Sequence, residues 1–471
     1  MDLTPQKSKE ELEINKPYTT YTNSNKSLID KGVQMVEVEM QTCTRPIPTY
    51  TNKLQGEEKL TDVEVSILAS MNKEFSQIII GGKHKIVVTK HCPVNGMTAT
   101  FEDVSQFHRY FEHEKKVQSF NRGNAWLQWE SKSFYPKGVG FYPNKSKCPD
   151  GVYNFFSGLA LKPKEGDCSL YLKHIEDCIC DGDKVASKYL IQWLAHMVQK
   201  PEEKPSVAVL MKSEQGTGKG LFTKPLLSIF GQFGAHVNGH ENLTQRFNST
   251  VANKILIFGD EVDLKDKRVA DKLKGLISER VIQLERKGIE PEPMPNYSRF
   301  IFASNHVQVI SAGLKERRYL IVEPVLKDKH YYDAIGNWIN KGGARHLYHY
   351  LQRVDITDFN PNKAPITNAL IDEKMCNLPL AMEYIYSEIK KEEPFEGRAR
   401  VFSLDLVSGY KSWLEDNGKA SQTEPTRRSQ MGKAMKSLGI ASMGRSGRDK
   451  GVYYEICNYD MINEFNDFIS T

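Results

Sequence analysis

The sequence predicts an α/β fold with a sheet of buried strands at its centre, and three observations predict it. The apolar, β-branched run 206–211 is followed by the glycine-rich segment 213–220 and then by the helical pattern 221–230. Two further apolar runs, 254–258 and 299–303, have the length of buried strands and end in polar residues. We expect these strands to share one sheet, with the polar residues at the crevice outside their carboxyl ends.

Length and composition indicate several folded domains. At 471 residues the chain is long enough for about three domains of roughly 150 residues each. A hydrophobic content of 39%, with 21 Tyr and 21 Phe, favours packed cores over disorder. The formal net charge is only +5, so any surface for nucleic acid must come from local clusters of basic residues.

The cysteines and the amino terminus predict a cytoplasmic protein. The eight cysteines have no framework spacing, and the first residues lack the apolar core of a signal peptide, so we expect reduced thiols. No apolar run approaches the roughly 20 residues that cross a bilayer. His174, Cys178 and Cys180 are close enough to suggest zinc, but without a second Cys-x-x-Cys pair a zinc site is the weaker interpretation.

Two local patterns in the amino-terminal half of the sequence predict turns. Closely spaced acids such as Asp181 and Asp183 could form a primase-type metal centre, but Gly182 between them favours a turn. Gly81-Gly82 lies between two strand patterns and predicts a hairpin.

Changes of composition and pattern predict five segments along the chain. The predicted segments are a flexible arm (1–60), an α+β amino-terminal region with a helical collar (61–200), the α/β core (201–330), a helical linker (331–395) and a small carboxyl-terminal domain (396–471).

The glycine-rich segment has the composition of a phosphate-binding loop. Gly216 and Gly218 allow backbone N–H groups to face phosphate oxygens, and the next helix adds the partial positive charge of its amino terminus. Lys219 would then contact the outer phosphates. The match to GxxxxGK[ST] is incomplete, because Ser213 replaces the first glycine and Gly220 stands where a hydroxyl would bind Mg²⁺. A glycine turn with a surface lysine is the alternative for this segment alone.

Polar residues at the ends of the next two strands extend the predicted site. Asp260 is placed to bind Mg²⁺ beside the phosphates, and Glu261 to polarise the attacking water. Asn305 follows the third strand and can hydrogen-bond the γ-phosphate or its water. Each group alone would be an ordinary turn, whereas their order after a glycine loop favours a nucleotide site.

Two basic segments predict contacts beyond one chain. Arg317 and Arg318 precede the strand 319–322, where they could reach the nucleotide of a neighbouring subunit as arginine fingers. Such fingers require an assembly of subunits, which we expect to be a ring. Residues 281–289 predict a hairpin whose basic tip, Arg286 and Lys287, would face DNA at the centre of that ring. Solvated surface charge is the alternative for both segments.

Together these motifs resemble the superfamily 3 helicases of the AAA+ class, above all those of bacteriophages and mobile elements, including the helicase module of some phage primase-polymerases. The resemblance covers residues 126–323 best. The residues that carry it, in the order of the family, are Gly216-Thr217-Gly218-Lys219, Phe258-Gly259-Asp260-Glu261, Glu285-Arg286-Lys287-Gly288, Ala303-Ser304-Asn305 and Arg317-Arg318.

The resemblance implies an AAA+ P-loop ATPase core and a hexameric, ATP-driven DNA translocase that replicates phage or mobile-element DNA in the cytoplasm of a bacterial host. It implies ATP and Mg²⁺ as cofactors, and one of Thr217, Thr223 or water must then replace the hydroxyl missing at Gly220. Residues 253–256 do not form the Asn-Lys-x-Asp guanine reader of GTPases, which favours ATP. The implied catalytic residues are Lys219, Asp260, Glu261 and Asn305 from one subunit with Arg317 and Arg318 from the next, and the implied nucleotide-binding residues are Gly216, Thr217, Gly218, Lys219, Gly220 and Leu221.

The carboxyl-terminal segment predicts a small winged-helix-like domain that binds DNA. Two helical patterns, 404–414 and 429–438, are followed by the glycine-rich segment 444–451 and the strand 452–456. Seven basic residues between positions 427 and 450 face one acid, a local excess that suits phosphate contacts. A basic surface that binds protein is the alternative. The residues expected on DNA are Arg286, Lys287, Arg428, Lys433, Lys436, Arg445 and Arg448.

The sequence therefore predicts an ATP-dependent DNA helicase, and it leaves two other functions open. One is a DNA-stimulated ATPase that remodels DNA without processive unwinding. The other is an origin-binding initiator that uses the nucleotide only as a switch. A separate primase or polymerase is a candidate partner.

Overall fold

A computed structural model describes residues 50–51, 53–54, 59–239, 251–262, 267–286, 289–306, 309–310, 316–391, 393–398, 400–419, 422–440, 442–443, 452–455 and 465. It confirms the mixed α/β class, with helices and sheets throughout the described ranges. Most of the predicted arm (1–60) and three of the predicted DNA-binding residues, Lys287, Arg445 and Arg448, lie outside the described residues.

The amino-terminal part is a four-stranded sheet covered by helices on one face. The predicted hairpin is confirmed, because Ile80 pairs with Lys83 across a turn in which Gly81 and Gly82 have φ of 54° and 74°. Trp126 is fully buried on a short helix. The elements are α1 (Asp62–Met71), β1 (Phe75–Ile80), β2 (Lys83–Cys92), β3 (Gly96–Asp103), α2 (Val104–Phe107), α3 (Arg122–Gln128) and β4 (Phe134–Tyr135), with strand order β3-β2-β1-β4.

The region predicted as a helical collar contains three helices, one of them a π-helix. The strands β5 (Val139–Gly140) and β6 (Tyr153–Asn154) lead to α4 (Ser169–Lys173), the π-helix His174–Ile179 and α5 (Lys184–Gln199). Asp183 caps α5 by accepting hydrogen bonds from the amides of Val185 and Ala186, both at 2.9 Å. Asp181 has a φ of 48° in the preceding turn, which confirms the predicted turn, and Asp183 adds a helix cap that the sequence did not predict.

The centre of the molecule is a five-stranded sheet with strand order β13-β7-β12-β9-β8. Every neighbouring pair is parallel, so the carboxyl ends of the strands share one edge. Alternate residues of β7 enter different buried clusters, Val209 and Met211 on one face and Ala208 and Leu210 on the other. Burial on both faces explains the unbroken apolar runs of the sequence. The elements are β7 (Ala208–Lys212), α6 (Lys219–Phe230), β8 (Gly234–Asn238), β9 (Leu256–Asp260), α7 (Lys267–Ser278), β10 (Val281–Arg286), β11 (Ile289–Pro295), β12 (Arg299–Ser304) and β13 (Tyr319–Val322).

The predicted hairpin before β12 is confirmed as the antiparallel pair β10–β11. Its base is fixed by Asn296, which is 3% exposed. The Asn296 side chain donates to the carbonyls of Leu276 and Glu279, both at 2.9 Å, and so caps the end of α7. The hairpin therefore starts from a rigid, buried base at the amino-terminal edge of the sheet.

The carboxyl-terminal part has the predicted order of two helices followed by antiparallel strands. The first part of the predicted helical linker (331–395) is two helices, because Gly342 has a φ of 90° and separates them. The elements are α8 (Lys329–Asn340), α9 (Gly343–Leu351), α10 (Asn368–Cys376), α11 (Leu380–Ile389), β14 (Arg400–Phe402), α12 (Ser403–Asp416), α13 (Glu424–Ser437), β15 (Ser442–Met443) and β16 (Tyr453–Glu455), with sheet order β14-β16-β15.

Packing joins the collar to the central sheet. One buried cluster contains Leu190 and Trp193 of α5, Leu347 of α9, and one face of the sheet. A separate cluster around Tyr410 holds α11, α12 and α13 together. The predicted segment boundaries remain predictions. Among the described residues, no helix combines the length and the apolar character that crossing a bilayer requires.

Candidate nucleotide-binding site

The predicted strand, glycine loop and helix are present at the carboxyl edge of the sheet. Gly216 and Gly218 have φ of 84° and 82°, a conformation that side chains disfavour. A Cβ on Gly218 would lie 2.7 Å from the ring of His174 and 2.9 Å from that of Tyr332, so this position also has no room for one. Gly218 is the N-cap of α6, whose first N–H groups have no partner within the helix and can bind an anion.

Lys219 is the first residue of α6 and lies at the centre of the site. Its ammonium donates to the carbonyls of Ser213 at 2.7 Å and Glu214 at 3.1 Å, and to Oδ1 of Asn305 at 2.7 Å. Burial lowers the pKa of Lys219, although the charges of Asp260 and Glu261 raise it in part. The structure thus brings Lys219 and Asn305 into contact and sets them near the predicted acids.

The two acids stand at the end of β9, directly beside β12. Asp260 accepts a hydrogen bond from the amide of Glu261 at 3.1 Å, and its other oxygen lies 3.7 Å from Nε2 of His236. Glu261 is exposed and has a φ of 52°, a strained conformation that costs about 1–3 kcal/mol in a non-glycine residue. Strain of this kind is concentrated at functional sites, where the surrounding structure maintains it.

The donor set at the strand ends fits Mg²⁺ bound together with phosphate. Mg²⁺ in such sites takes one or two carboxylates and completes its shell with phosphate oxygens and water. Asp260, with a side chain 37% exposed, can supply the first of these. The two predicted hydroxyl ligands are engaged within the chain: Thr217 donates to the Glu214 carbonyl at 3.1 Å, and buried Thr223 to the Lys219 carbonyl at 3.2 Å. Water is therefore the simplest replacement for the hydroxyl missing at Gly220.

The π-helix supports the glycine loop from behind, a role that sequence reasoning missed. Nε2 of His174 lies 3.3 Å from the carbonyl of Gly218, which can only accept, so Nε2 carries the proton. The Cys178 sulfur, which has one proton to donate, lies 3.5 Å from the carbonyl of Thr217 and 3.2 Å from that of Val325. These contacts give the loop carbonyls buried partners, which leaves the loop N–H groups for a ligand. The only sequence signal was the grouping of His174 with Cys178 and Cys180, which suggested zinc.

The buried state of His174 predicts a pH dependence of stability. Burial lowers the pKa of His174 to about 4, whereas an exposed histidine has a pKa near 6.5. Between these values the unfolded chain binds a proton that the folded chain does not, so stability is lost as the pH falls from about 6.5 to about 4. We expect the midpoint of thermal unfolding to drop between pH 7.5 and pH 5, and to drop less in His174→Asn.

Asparagine does not titrate, but it is too short to replace the bond from Nε2 to the Gly218 carbonyl, so the comparison is of the change with pH within each protein and not of absolute stability. Burial also lowers the pKa of His196 to about 4, so part of the pH dependence should persist in His174→Asn. An equal drop in both proteins, measured by circular dichroism, would contradict the assignment.

The two predicted arginine fingers have different environments. Arg318 is half-buried, and its guanidinium contacts Glu316 at 3.3 Å and Ser278 at 3.1 Å. Arg317 is exposed, and its side chain has no hydrogen bond or ion pair within the described part of the chain. Arg318 is therefore engaged by its own chain, which leaves Arg317 as the arginine that a neighbour could use.

Both arginines lie at the edge of the sheet opposite the glycine loop. The Arg318 carbonyl accepts from the amide of Ala208, the first residue of β7, at 2.8 Å. The loop begins after Lys212, the last residue of β7, so the strand separates the two by about 16 Å at roughly 3.3 Å per residue. At this separation Arg317 does not reach the glycine loop of its own chain.

The described part of the predicted DNA-binding set lies on two elements. Arg286 ends β10 of the hairpin. On α13, Arg428, Lys433 and Lys436 are exposed, and Arg428 pairs with Glu424 at 2.9 Å. The structure thus places three of the predicted basic residues on one exposed helix.

Comparison with known proteins relates this chain to part of a phage replication enzyme. Residues 211–318 match the model of a family of unknown function (DUF5906). Over 217 residues, 45% of this chain, the sequence is 24% identical to the DNA primase-polymerase of Nitratiruptor phage NrS-1. The match covers 29% of that enzyme, so the chain spans less than a third of the relative's length.

Solved structures of the NrS-1 carboxyl-terminal region share the fold. The apo structure of its residues 305–718 aligns with a TM-score of 0.60 at 17% identity, over 84% of this chain and 99% of that one. A second apo structure, the A form, aligns with a TM-score of 0.60 over 82% of this chain and 98% of that one. The chain therefore has the fold of this region and is homologous to part of a phage primase-polymerase.

Proposed function

We propose that the chain is an ATP-dependent DNA helicase or translocase that acts as a hexameric ring in phage or mobile-element replication, with a core of the AAA+ class. The observation that carries the proposal is the contact between Lys219 and Asn305 at 2.7 Å, with Asp260 and Glu261 on the adjacent strand end. A phosphate-binding loop, an amide and two acids at one sheet edge are the parts that nucleotide hydrolysis requires.

The geometry supports a sequence of contacts on ATP. The loop N–H groups and the amino terminus of α6 bind the phosphates, and Lys219 exchanges the carbonyls of Ser213 and Glu214 for phosphate oxygens. Asn305 orients the outer phosphate, and Glu261 accepts a proton from the attacking water. Mg²⁺, held by Asp260, would neutralise charge on the phosphates as they separate.

The placement of Arg317 supports a ring. Its backbone lies across the sheet from the loop of its own chain, so the proposed arginine finger would act on a neighbouring subunit. Where unlike edges meet head-to-tail, the contacts close into a ring if the rotation permits. The DNA substrate is supported by the exposed basic residues of α13 and by the replication enzyme to which part of the chain is homologous.

The proposal is tested on a forked duplex with ATP and by particle mass with ATP and single-stranded DNA. We expect strand separation and a mass of six chains. Lys287→Ala, at the predicted hairpin tip, should keep most DNA-stimulated ATPase activity and lose unwinding, since a pore contact transmits force and does not hydrolyse ATP. Lys254→Ala is the control for loss of a lysine away from the hairpin, because Lys254 is half-buried and bonded to the Gln232 carbonyl at the amino edge of the sheet; we expect it to lower stability and leave unwinding by the folded protein unchanged.

The outcomes separate the proposal from its two rivals. DNA-stimulated turnover without unwinding would identify a remodelling ATPase. Negligible turnover with DNA present would identify an initiator that uses the nucleotide as a switch. Unchanged unwinding in Lys287→Ala would remove the hairpin tip from the mechanism.

A further inference from the structure

The helix α10 is shared between the central sheet and the carboxyl-terminal domain. Ala369 and Leu370 belong to the buried cluster on one face of the sheet, whereas Ile371 and Met375 pack against the carboxyl-terminal cluster. The N-cap residue Thr367 donates to a carbonyl of β13, that of Ile321, at 2.6 Å. This helix is therefore fixed to the sheet and is also the first element packed on the domain that follows.

Glu373 of α10 is a buried carboxylate with partners on two other segments. It is 1% exposed. Its oxygens accept from the amides of Val309 at 3.1 Å and Ile310 at 3.2 Å, and from the ammonium of Lys212 at 3.1 Å. Asn377, just after α10, adds a hydrogen bond to the Ile310 carbonyl at 3.1 Å. A buried carboxylate with three donors is fully satisfied, and bonds from a charged donor are among the stronger ones.

The partners of Glu373 lead directly into the nucleotide site. Lys212 is the last residue of β7 and precedes Ser213, where the glycine loop begins. Val309 lies four residues after Asn305, which contacts Lys219. The Glu373 carboxylate thus binds both the end of β7, which leads into the glycine loop, and residues 309–310, which follow Asn305 in the chain.

Lys212 has a second acidic neighbour that offers a comparison. Glu323 lies 3.5 Å from the Lys212 ammonium, but its side chain is 48% exposed. Burial alone would lower the pKa of Lys212, yet the hydrogen bonds and charges of Glu373 and Glu323 raise it above its ordinary value. The two acids share the lysine, and only Glu373 also binds the amides of Val309 and Ile310.

We propose that Glu373 is a positioning residue for nucleotide hydrolysis, which holds the glycine loop and Asn305 in the relative placement that lets both meet the same phosphate. The inference rests on the proposed ATPase function and deepens it. Glu373 touches no reacting atom; it acts through Lys212 and the backbone of residues 309–310. Because a misplacement of about 1 Å can cost on the order of 100-fold in rate, loss of this bridge should reduce turnover more than nucleotide binding.

The variant Glu373→Gln tests the proposal with Glu323→Gln as its control. Glutamine keeps the shape of the side chain but loses the negative charge that faces Lys212. It also replaces one of the two oxygens that accept hydrogen bonds with an NH₂ group, which cannot accept. We expect kcat for ATP to fall about tenfold or more, while the affinity for a fluorescent ATP analogue changes less than about threefold. Glu323→Gln should stay within about twofold of the parent in both quantities, since it leaves the amides of residues 309–310 paired.

A second readout does not depend on turnover. The amides of Val309 and Ile310 should exchange with deuterium faster in Glu373→Gln than in the parent or in Glu323→Gln, because their acceptor is weakened. If the parent hydrolyses no ATP, the proposed function fails, while exchange still tests the bridge. Parent-like kcat and exchange in a folded Glu373→Gln would overturn the inference, as would equal losses of kcat and affinity.

A double variant covers the case in which the single one does not fold. Removing one partner of a buried ion pair leaves an unpaired charge, whereas removing both charges avoids that penalty. Lys212→Gln with Glu373→Gln should therefore fold and still turn over slowly, because the placement of residues 309–310 is not restored. Parent turnover in this double variant would assign Glu373 to charge balance alone and overturn the proposal.

Discussion

Glu261→Gln should bind ATP and lower ATP turnover by about 10²–10⁴, the range that a general base contributes. Glutamine keeps the size of the side chain but cannot take a proton from water. The strained backbone of Glu261, with a φ of 52°, sets this side chain at the sheet edge that carries the loop, so the change should affect chemistry and leave the fold intact. The measurements are phosphate release with single-stranded DNA and the affinity for a fluorescent ATP analogue.

Glu279→Gln is the control for this variant. Glu279 is also an exposed glutamate, but it follows α7 at the opposite edge of the sheet. There its backbone amide donates to the Gly275 carbonyl and its own carbonyl accepts from Asn296, whereas its side chain has no hydrogen bond or ion pair within the described residues. We expect turnover like that of the parent. Parent-level turnover in Glu261→Gln itself would show that another group activates the water.

Arg317→Ala should abolish most hydrolysis while nucleotide binding remains, because arginine fingers are worth about 10³–10⁵ in rate. Lys219→Ala should also be inactive, for a different reason, since it removes a phosphate contact within the subunit. The two inactive variants make a test of cooperation between subunits. In a mixed head-to-tail ring, about a quarter of the sites combine an intact Lys219 with an intact neighbouring Arg317, so activity should return on mixing.

The control for the mixture is a chain that carries both substitutions. When it is mixed with Lys219→Ala, no subunit has an intact Lys219 and activity should not return. Arg318→Ala should chiefly lower the midpoint of thermal unfolding, because Arg318 is bound to Glu316 within its own chain. Mixtures of Arg317→Ala and Lys219→Ala that stay inactive, at a mass that proves they assemble, would refute a site completed by a neighbour.

The sequence predicted the central strands because burial on both faces leaves an unbroken apolar signal. The edge strand β8 was missed, since its residues include Gly234, His236 and Asn238 and only Val237 is buried. The break between α8 and α9 was missed because glycine occurs inside helices as well as at their ends, so Gly342 alone did not mark the break. Local pattern is thus informative where a strand is central and weak at edges and breaks.

The placement of the candidate site residues at one edge of the sheet could be predicted, but not the residues that hold them there. Lys219, Asp260 and Asn305 follow strands in a recognisable order. His174 and Glu373 reach the site from more than forty residues away in sequence, and no spacing encodes such contacts. The contact of the Arg318 guanidinium with Glu316 could have been predicted from the sequence, because the two residues are only two positions apart.

The length of β7 has a consequence for how assembly controls activity. Since the strand holds the arginine at one rim of each chain and the loop at the other, a lone chain completes no site, and only an assembly that joins unlike rims does. Turnover per chain should therefore rise with protein concentration and vanish on dilution. In a host cell with few copies the proposed ATPase would then be inactive. ATP hydrolysis would begin once enough protein had accumulated for the chains to assemble.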